Sequence, residues 1–124
     1  MPVIPAPTEP THEMGGNRFT SLATPSRGCS STSVWRVEIA PGTPAAPHRL
    51  TVEEVFVVLS GTASVRIDDQ RSTARAGDAI SVPPDVVFEI SAEGEEPLEA
   101  LCVMPVGGQA ALEGGDPFTP PWAQ

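Results

Sequence analysis

The sequence predicts an all-β fold, a small antiparallel β-barrel, and three observations carry that expectation. From residue 17 onward short segments alternate apolar and polar residues, the period of two that marks strands with one buried face. Eleven Gly and 15 Pro in 124 residues punctuate these segments with turns. No stretch sustains an apolar stripe at 3.6-residue spacing, so the crossover helices that parallel strands need are absent from the pattern. The strands are therefore expected to pair antiparallel and to close on one another, which removes exposed edges.

Taken in order, residues 1–16 form a proline-rich arm: Pro2, Pro5, Pro7 and Pro10 fix φ and remove backbone donors, so an extended course is expected. Residues 18–22 are a weak strand. Residues 33–40 are a clear one, with Trp35, Val37 and Ile39 on one face against Val34, Arg36 and Glu38 on the other, ended by Pro41-Gly42. Residues 54–59 are apolar on both faces and read as a strand covered on both sides. Ser60-Gly61 turns the chain into 62–68, where Ala63, Val65 and Ile67 alternate with Ser64, Arg66 and Asp68. The turn at Asp68-Asp69-Gln70 returns it as 71–75, a hairpin. Further strands are expected at 80–82, 86–90 and 98–104. A short helix near 110–113 is the single helical candidate. The one domain is thus read as an arm, 1–16, a barrel, 17–106, and a tail, 107–124. The tail carries Phe118 and Trp122, apolar side chains that need a surface of the barrel or of a second subunit to cover them.

Composition excludes several function classes. Seven Arg and no Lys stand against 16 acidic residues, a formal charge of −9, the opposite of what binding to nucleic acid or an anionic membrane requires. Without Lys or Tyr there is no Schiff-base lysine and no tyrosine acid. No apolar run approaches the roughly 20 residues of a membrane-spanning helix. The first residues lack the basic and apolar regions of a signal peptide, so a cytoplasmic location is expected. Cys29 and Cys102 are too few for a disulfide framework and are read as small buried hydrophobes. Ser30 to Ser33 lack the glycines of a nucleophile elbow. The acidic run Glu93, Glu95, Glu96 and Glu99 is read as a solvated turn. What remains is His, carboxylate, Arg and Cys chemistry.

The segment from Pro41 to Gly61 resembles the first motif of the cupin superfamily, G-x5-H-x-H-x3-E-x6-G: Gly42, His48, Glu54 and Gly61 fall on it in register. The second motif, G-x5-P-x-G-x2-H-x3-N, is matched by Gly77 and Pro83. The resemblance covers residues 33–104 and implies the double-stranded β-helix, or jelly-roll, form of barrel. It also implies a homodimer, with Phe118 and Trp122 as candidate interface contacts. Cupins that hold a metal use two histidines and the glutamate of the first motif and the histidine of the second. Here Leu50 and Phe88 stand at two of those four positions, while Asp85 and Ala92 replace the second motif's glycine and asparagine.

One imidazole and one carboxylate fall short of the three or more protein ligands a catalytic metal takes, so no cofactor is expected. The primary expectation is a small organic ligand bound in the barrel, in a pocket walled by Leu50, Phe56 and Phe88, with Arg36 available for a carboxylate if its face lines the pocket. His48 and Glu54 are the candidate catalytic pair, suited to proton transfer in an isomerase, epimerase or cyclase reaction. If both project inward they are expected to share a charge-assisted hydrogen bond. Two alternatives remain: a non-catalytic ligand-sensing or interaction barrel, and a metal-dependent dioxygenase in which His12 joins His48 and Glu54 as a divalent-metal ligand.

Overall fold

The computed structural model describes residues 3–124, so Met1 and Pro2 of the arm lie outside the described residues. Eleven strands follow in chain order: β1 (His12–Met14), β2 (Asn17–Ala23), β3 (Thr32–Ile39), β4 (His48–Leu50), β5 (Glu54–Ser60), β6 (Thr62–Ile67), β7 (Gln70–Arg75), β8 (Ala79–Val82), β9 (Phe88–Ala92), β10 (Leu98–Pro105) and β11 (Ala110–Leu112). They form two antiparallel sheets, ordered β1-β2-β3-β10-β5-β8 and β11-β4-β9-β6-β7. The helical turns among the described residues are two 3-10 turns, Pro25–Arg27 and Pro121–Ala123. The sheets face each other as a jelly roll, and the apolar core lies between them.

Alternation decides which side chains reach that space. In β3 the residues Ser33, Trp35, Val37 and Ile39 are buried and the intervening ones are not. In β10 Leu98, Ala100, Cys102 and Met104 point inward, and in β6 Ala63 and Val65 do. The hairpin β6–β7 has the expected register, Ile67 opposite Gln70 and Thr62 opposite Arg75. Gly61, between β5 and β6, has φ +75°, and a Cβ there would lie 2.2 Å from the Pro97 carbonyl oxygen, so no other residue fits that turn.

Several expectations change. Residues 110–112 are strand β11, paired with β4, where a helix was expected; three residues give a helix too few internal hydrogen bonds, whereas an open strand edge supplies partners at once. Strand β4, residues 48–50, has no counterpart among the strands expected from the sequence. The outer side of β5 is only partly covered: Val55 and Val57 are half-buried and Leu59 is 43% exposed, because no layer packs on that side. At the arm, β1 pairs with β2, and the Arg27 guanidinium donates to the Pro5 carbonyl.

The tail packs on its own barrel. The Trp122 ring stacks on Phe19 at 3.7 Å between centroids and 4° between planes. Its carbonyl accepts from Ser21 Oγ at 2.7 Å, and the Ala123 carbonyl accepts from Ser33 Oγ at 2.6 Å. Phe118 pairs with Ala110 and packs against the core. Both aromatics expected at a subunit interface are therefore occupied within the chain. Among the described residues no helix is long and apolar enough to cross a membrane.

Candidate functional site

Between the sheets lies a cavity of about 320 Å³. Strand alternation delivers its chemistry. On β4, His48 and Leu50 face inward while Arg49 faces out. On β5 the inward set begins with Glu54 and continues with Phe56, leaving Glu53 outside and exposed. Phe88 opens β9 directly opposite His48, and the two rings pack with centroids 4.3 Å apart. The turn before β9 is fixed by Asp85, whose φ of +61° is the conformation a glycine would otherwise supply and whose N–H donates to the Leu50 carbonyl at 2.8 Å. Thus His48, Leu50, Glu54 and Phe88 all line one cavity, and the two hydrocarbon members are 2% and 1% exposed.

Glu54 is 4% exposed, and no Arg lines the cavity. Burial pushes its carboxyl up to about 8; the Cys102 side chain, a hydrogen-bonding neighbour on β10, draws it back only in part. At neutral pH Glu54 is therefore mainly a carboxylic acid, able to donate. Burial and the adjacent Glu54 push the Cys102 thiol up, so it stays protonated and unreactive. His48 is shifted the other way: burial lowers its pKa, with a hydrogen bond to the Ala46 carbonyl opposing. That bond, 2.8 Å from Nδ1, places the ring proton on Nδ1, because a carbonyl can only accept, and leaves Nε2 with its lone pair.

The expected hydrogen bond between His48 and Glu54 is not formed. His48 bonds to Ala46 and Glu54 to Cys102, and both pKa shifts come from desolvation rather than from mutual attraction. The result is a neutral acid and a neutral base in one cavity.

Leu50, Phe56 and Phe88 line the cavity; Arg36 does not. It occupies the outer face of β3 between buried Trp35 and Val37, opposite Leu101 of β10, since a period of two cannot bring neighbours to the same side. Glu38, the next residue along that outer face, pairs with Arg18 at 3.6 Å. His12 is also outside: on β1 its Nδ1 meets Thr11 Oγ1 at 2.9 Å and its ring lies edge-on to Trp122 at 6.5 Å. Trp122 and Phe19 stand among the lining residues where His12 would have to enter. Among the described residues no three His, Cys, Asp or Glu side chains gather at metal-binding distance. The donors present do not fit a catalytic metal.

Among the lining residues that sequence reasoning did not assign to the site are Asn17, Cys102 and Trp122. The first two share a period-two face with residues already placed inside, Asn17 with Phe19 and Cys102 with Ala100. Trp122 reaches the cavity through a loop, which no periodicity marks.

The profile of the Cupin domain family matches residues 35–104, more than half of the chain. The chain belongs to the cupin domain family. Over 52 residues this cupin is 33% identical to an uncharacterized protein of Methanocaldococcus jannaschii, a match covering 42% of this chain and 42% of that protein's length. Solved structures share the fold. An RmlC-like cupin of Shewanella frigidimarina superposes with a TM-score of 0.68 at 19% identity, over 79% of this chain and 83% of that one. A cupin superfamily protein of Desulfitobacterium hafniense gives 0.63 at 17%, over 77% and 82%. Salicylate 1,2-dioxygenase of Pseudoaminobacter salicylatoxidans, in a structure with gentisate, gives 0.70 at 18%, over 85% of this chain but only 31% of that one.

Proposed function

We propose that this cupin binds a small, uncharged, mostly apolar organic molecule in its barrel, and that Glu54 and His48 serve it as a proton-transfer pair. The observation that carries the reading is a carboxyl group, 4% exposed, facing an apolar cavity with no cationic side chain beside it among the described residues. An anionic ligand would enter without a counter-charge, since none of the seven Arg lines the cavity and the chain has no Lys. A ligand carbonyl gains most there, because the protonated Glu54 donates to it without any ion pair being needed. His48 Nε2 then takes a proton from the ligand's carbon or hydroxyl while Glu54 stabilises the oxygen, the chemistry of an isomerisation, epimerisation or cyclisation. The volume, about 320 Å³, lies at the small end of ligand sites, which run from about 300 Å³ upward.

The second reading, a purely binding barrel, draws on the same cavity and is favoured by Leu50 and Phe88, which surround the pair with hydrocarbon. One experiment separates them. Small neutral ketones are titrated into labelled protein in D2O, following both cavity resonances and exchange of the ketone's α-hydrogens. Binding with exchange that is lost in Glu54→Gln and His48→Ala supports proton transfer. Binding without exchange leaves the sensing reading, and no binding by any ketone overturns both.

Two further proposals accompany this one. A cytoplasmic location suits an acidic protein whose cysteines, Cys29 and Cys102, are both free thiols. A homodimer is retained from the family resemblance, resting on surfaces other than Phe118 and Trp122; a sizing column that returns the monomer mass overturns it.

A further inference from the structure

Asn17 is half-buried as a residue, but its amide oxygen is shut off from solvent. It opens β2, on the same face as Phe19 and Ser21, and lines the cavity beside Met14, Gly15 and Thr43. Its Oδ1 is buried without a hydrogen-bond partner, alone among the buried side-chain oxygens and nitrogens of the described residues. The contrast with its surroundings is sharp. Ser21 and Ser33 each donate to a carbonyl of the tail, and Thr24 Oγ1 meets Ser26 Oγ at 3.2 Å. A buried acceptor left unpaired costs stability, and an apolar side chain of the same size would avoid that cost.

We propose that Asn17 is a specificity-determining residue of the cavity, where it holds a hydroxyl group of a neutral ligand whose apolar body packs on Phe19, Trp35 and Phe88. The proposal rests on the reading that the cavity takes an uncharged organic molecule. It adds the ligand's second polar feature: besides an oxygen that accepts from Glu54, the ligand carries a hydroxyl. A hydroxyl suits the site whichever way the amide is turned, since it donates to Oδ1 or accepts from Nδ2. An ionised group does not, because no lining side chain carries an opposite charge.

The test uses matched pairs that differ by hydroxyl against methyl at nearly constant volume: 4-hydroxyacetophenone with 4-methylacetophenone, and p-cresol with p-xylene. Each is titrated at pH 6, where the phenols are neutral, into the labelled full chain and into Asn17→Leu and Asn17→Ala. The hydroxyl member is expected to bind the unsubstituted protein at least about ten times more tightly, because the methyl member leaves the buried amide oxygen unpaired. In both variants the preference is expected to collapse to within about twofold through weaker binding of the hydroxyl member. The ligand-free Asn17→Leu protein is expected to melt higher than the unsubstituted one, a rise that a merely structural asparagine would not give. If both members bind the unsubstituted protein equally, if the preference survives in the variants, or if Asn17→Leu melts lower, the assignment of Asn17 falls while the cavity reading stands. If no member of either pair shifts the cavity resonances, the cavity reading itself falls and the assignment with it.

Discussion

The space between the sheets has two parts that share their strands and differ in content. One part is filled: Val58, Ala63, Val82, Leu98 and Ala100 are each at most 2% exposed and none touches the cavity. The other is hollow, and its walls gather aromatic rings together with His48, Glu54, Cys102 and Asn17. A single strand runs through both, for β5 places Glu54 and Phe56 at the cavity and Val58 in the filled part. The lesson is that burial alone does not distinguish core from site. Val58 and Glu54 are both buried, at 1% and 4%, but only the carboxyl brings a polar, titratable group to the cavity wall.

Substitutions can break that division, and the largest effect is expected in the filled part. Leu98→Ala removes a side chain that is 1% exposed and should lower the unfolding free energy by about 3 kcal/mol, read by urea denaturation, with no change in cavity resonances. An equal response of both would show that the two parts are mechanically one.

Trp122→Ala should cost about 2 to 3 kcal/mol, because it loses the stack on Phe19 and opens the cavity wall. The elution volume on a sizing column should not move, since the ring is covered by its own chain. A shift to smaller size would return Trp122 to a subunit interface.

The hollow part alone should give stability a pH dependence. Glu54 keeps its proton to about 8 in the folded chain but releases it near 4.5 when unfolded, so its contribution falls as pH rises between those values. His48, lowered from 6.5, acts in the opposite direction, its contribution fully present above 6.5 and lost as pH falls through its folded pKa. Above 6.5 the Glu54 slope stands unopposed. Stability should therefore drop from pH 6.5 to 8, by about 1.4 kcal/mol per unit at most, and Glu54→Gln should flatten the profile. A profile that rises over that range in the unsubstituted protein would show Glu54 to be ionised.

The smallest effect belongs to the outer surface. Arg36→Ala should change stability by no more than about 0.5 kcal/mol and leave ketone binding untouched, because the residue faces away from the cavity. Any loss of binding would reopen its place in the site.

Legibility follows the same division. Strands β3 and β6 could be read because each alternates strictly, and alternation fixes facing before any partner is known, while β5 and the strands after the β6–β7 hairpin were read as short apolar runs bounded by turn residues. One motif singled out His48, Leu50 and Glu54, but their inward position stood only as a condition until the strands were in place. Strands β4 and β11, three residues each, carried no such signal; they exist because each completes the other's hydrogen bonds. Cys102 was read as a small buried hydrophobe rather than as part of the site, and Asn17 stood just before a segment read only as a weak strand, 18–22, so its facing was not legible.

By itself the sequence determined that this chain folds as an all-β cupin barrel and that hydrocarbon stands at two of the four positions where metal-binding cupins place ligands. Both are matters of residue identity and spacing, which are local. Only the tertiary structure decided that Glu54 and His48 are tuned separately by burial, that Arg36 and His12 stand outside, and that Asn17 faces the cavity with an unpaired oxygen. Those properties depend on how much water reaches each group and on which groups from distant segments come within hydrogen-bonding distance, and neither is set until the two sheets close.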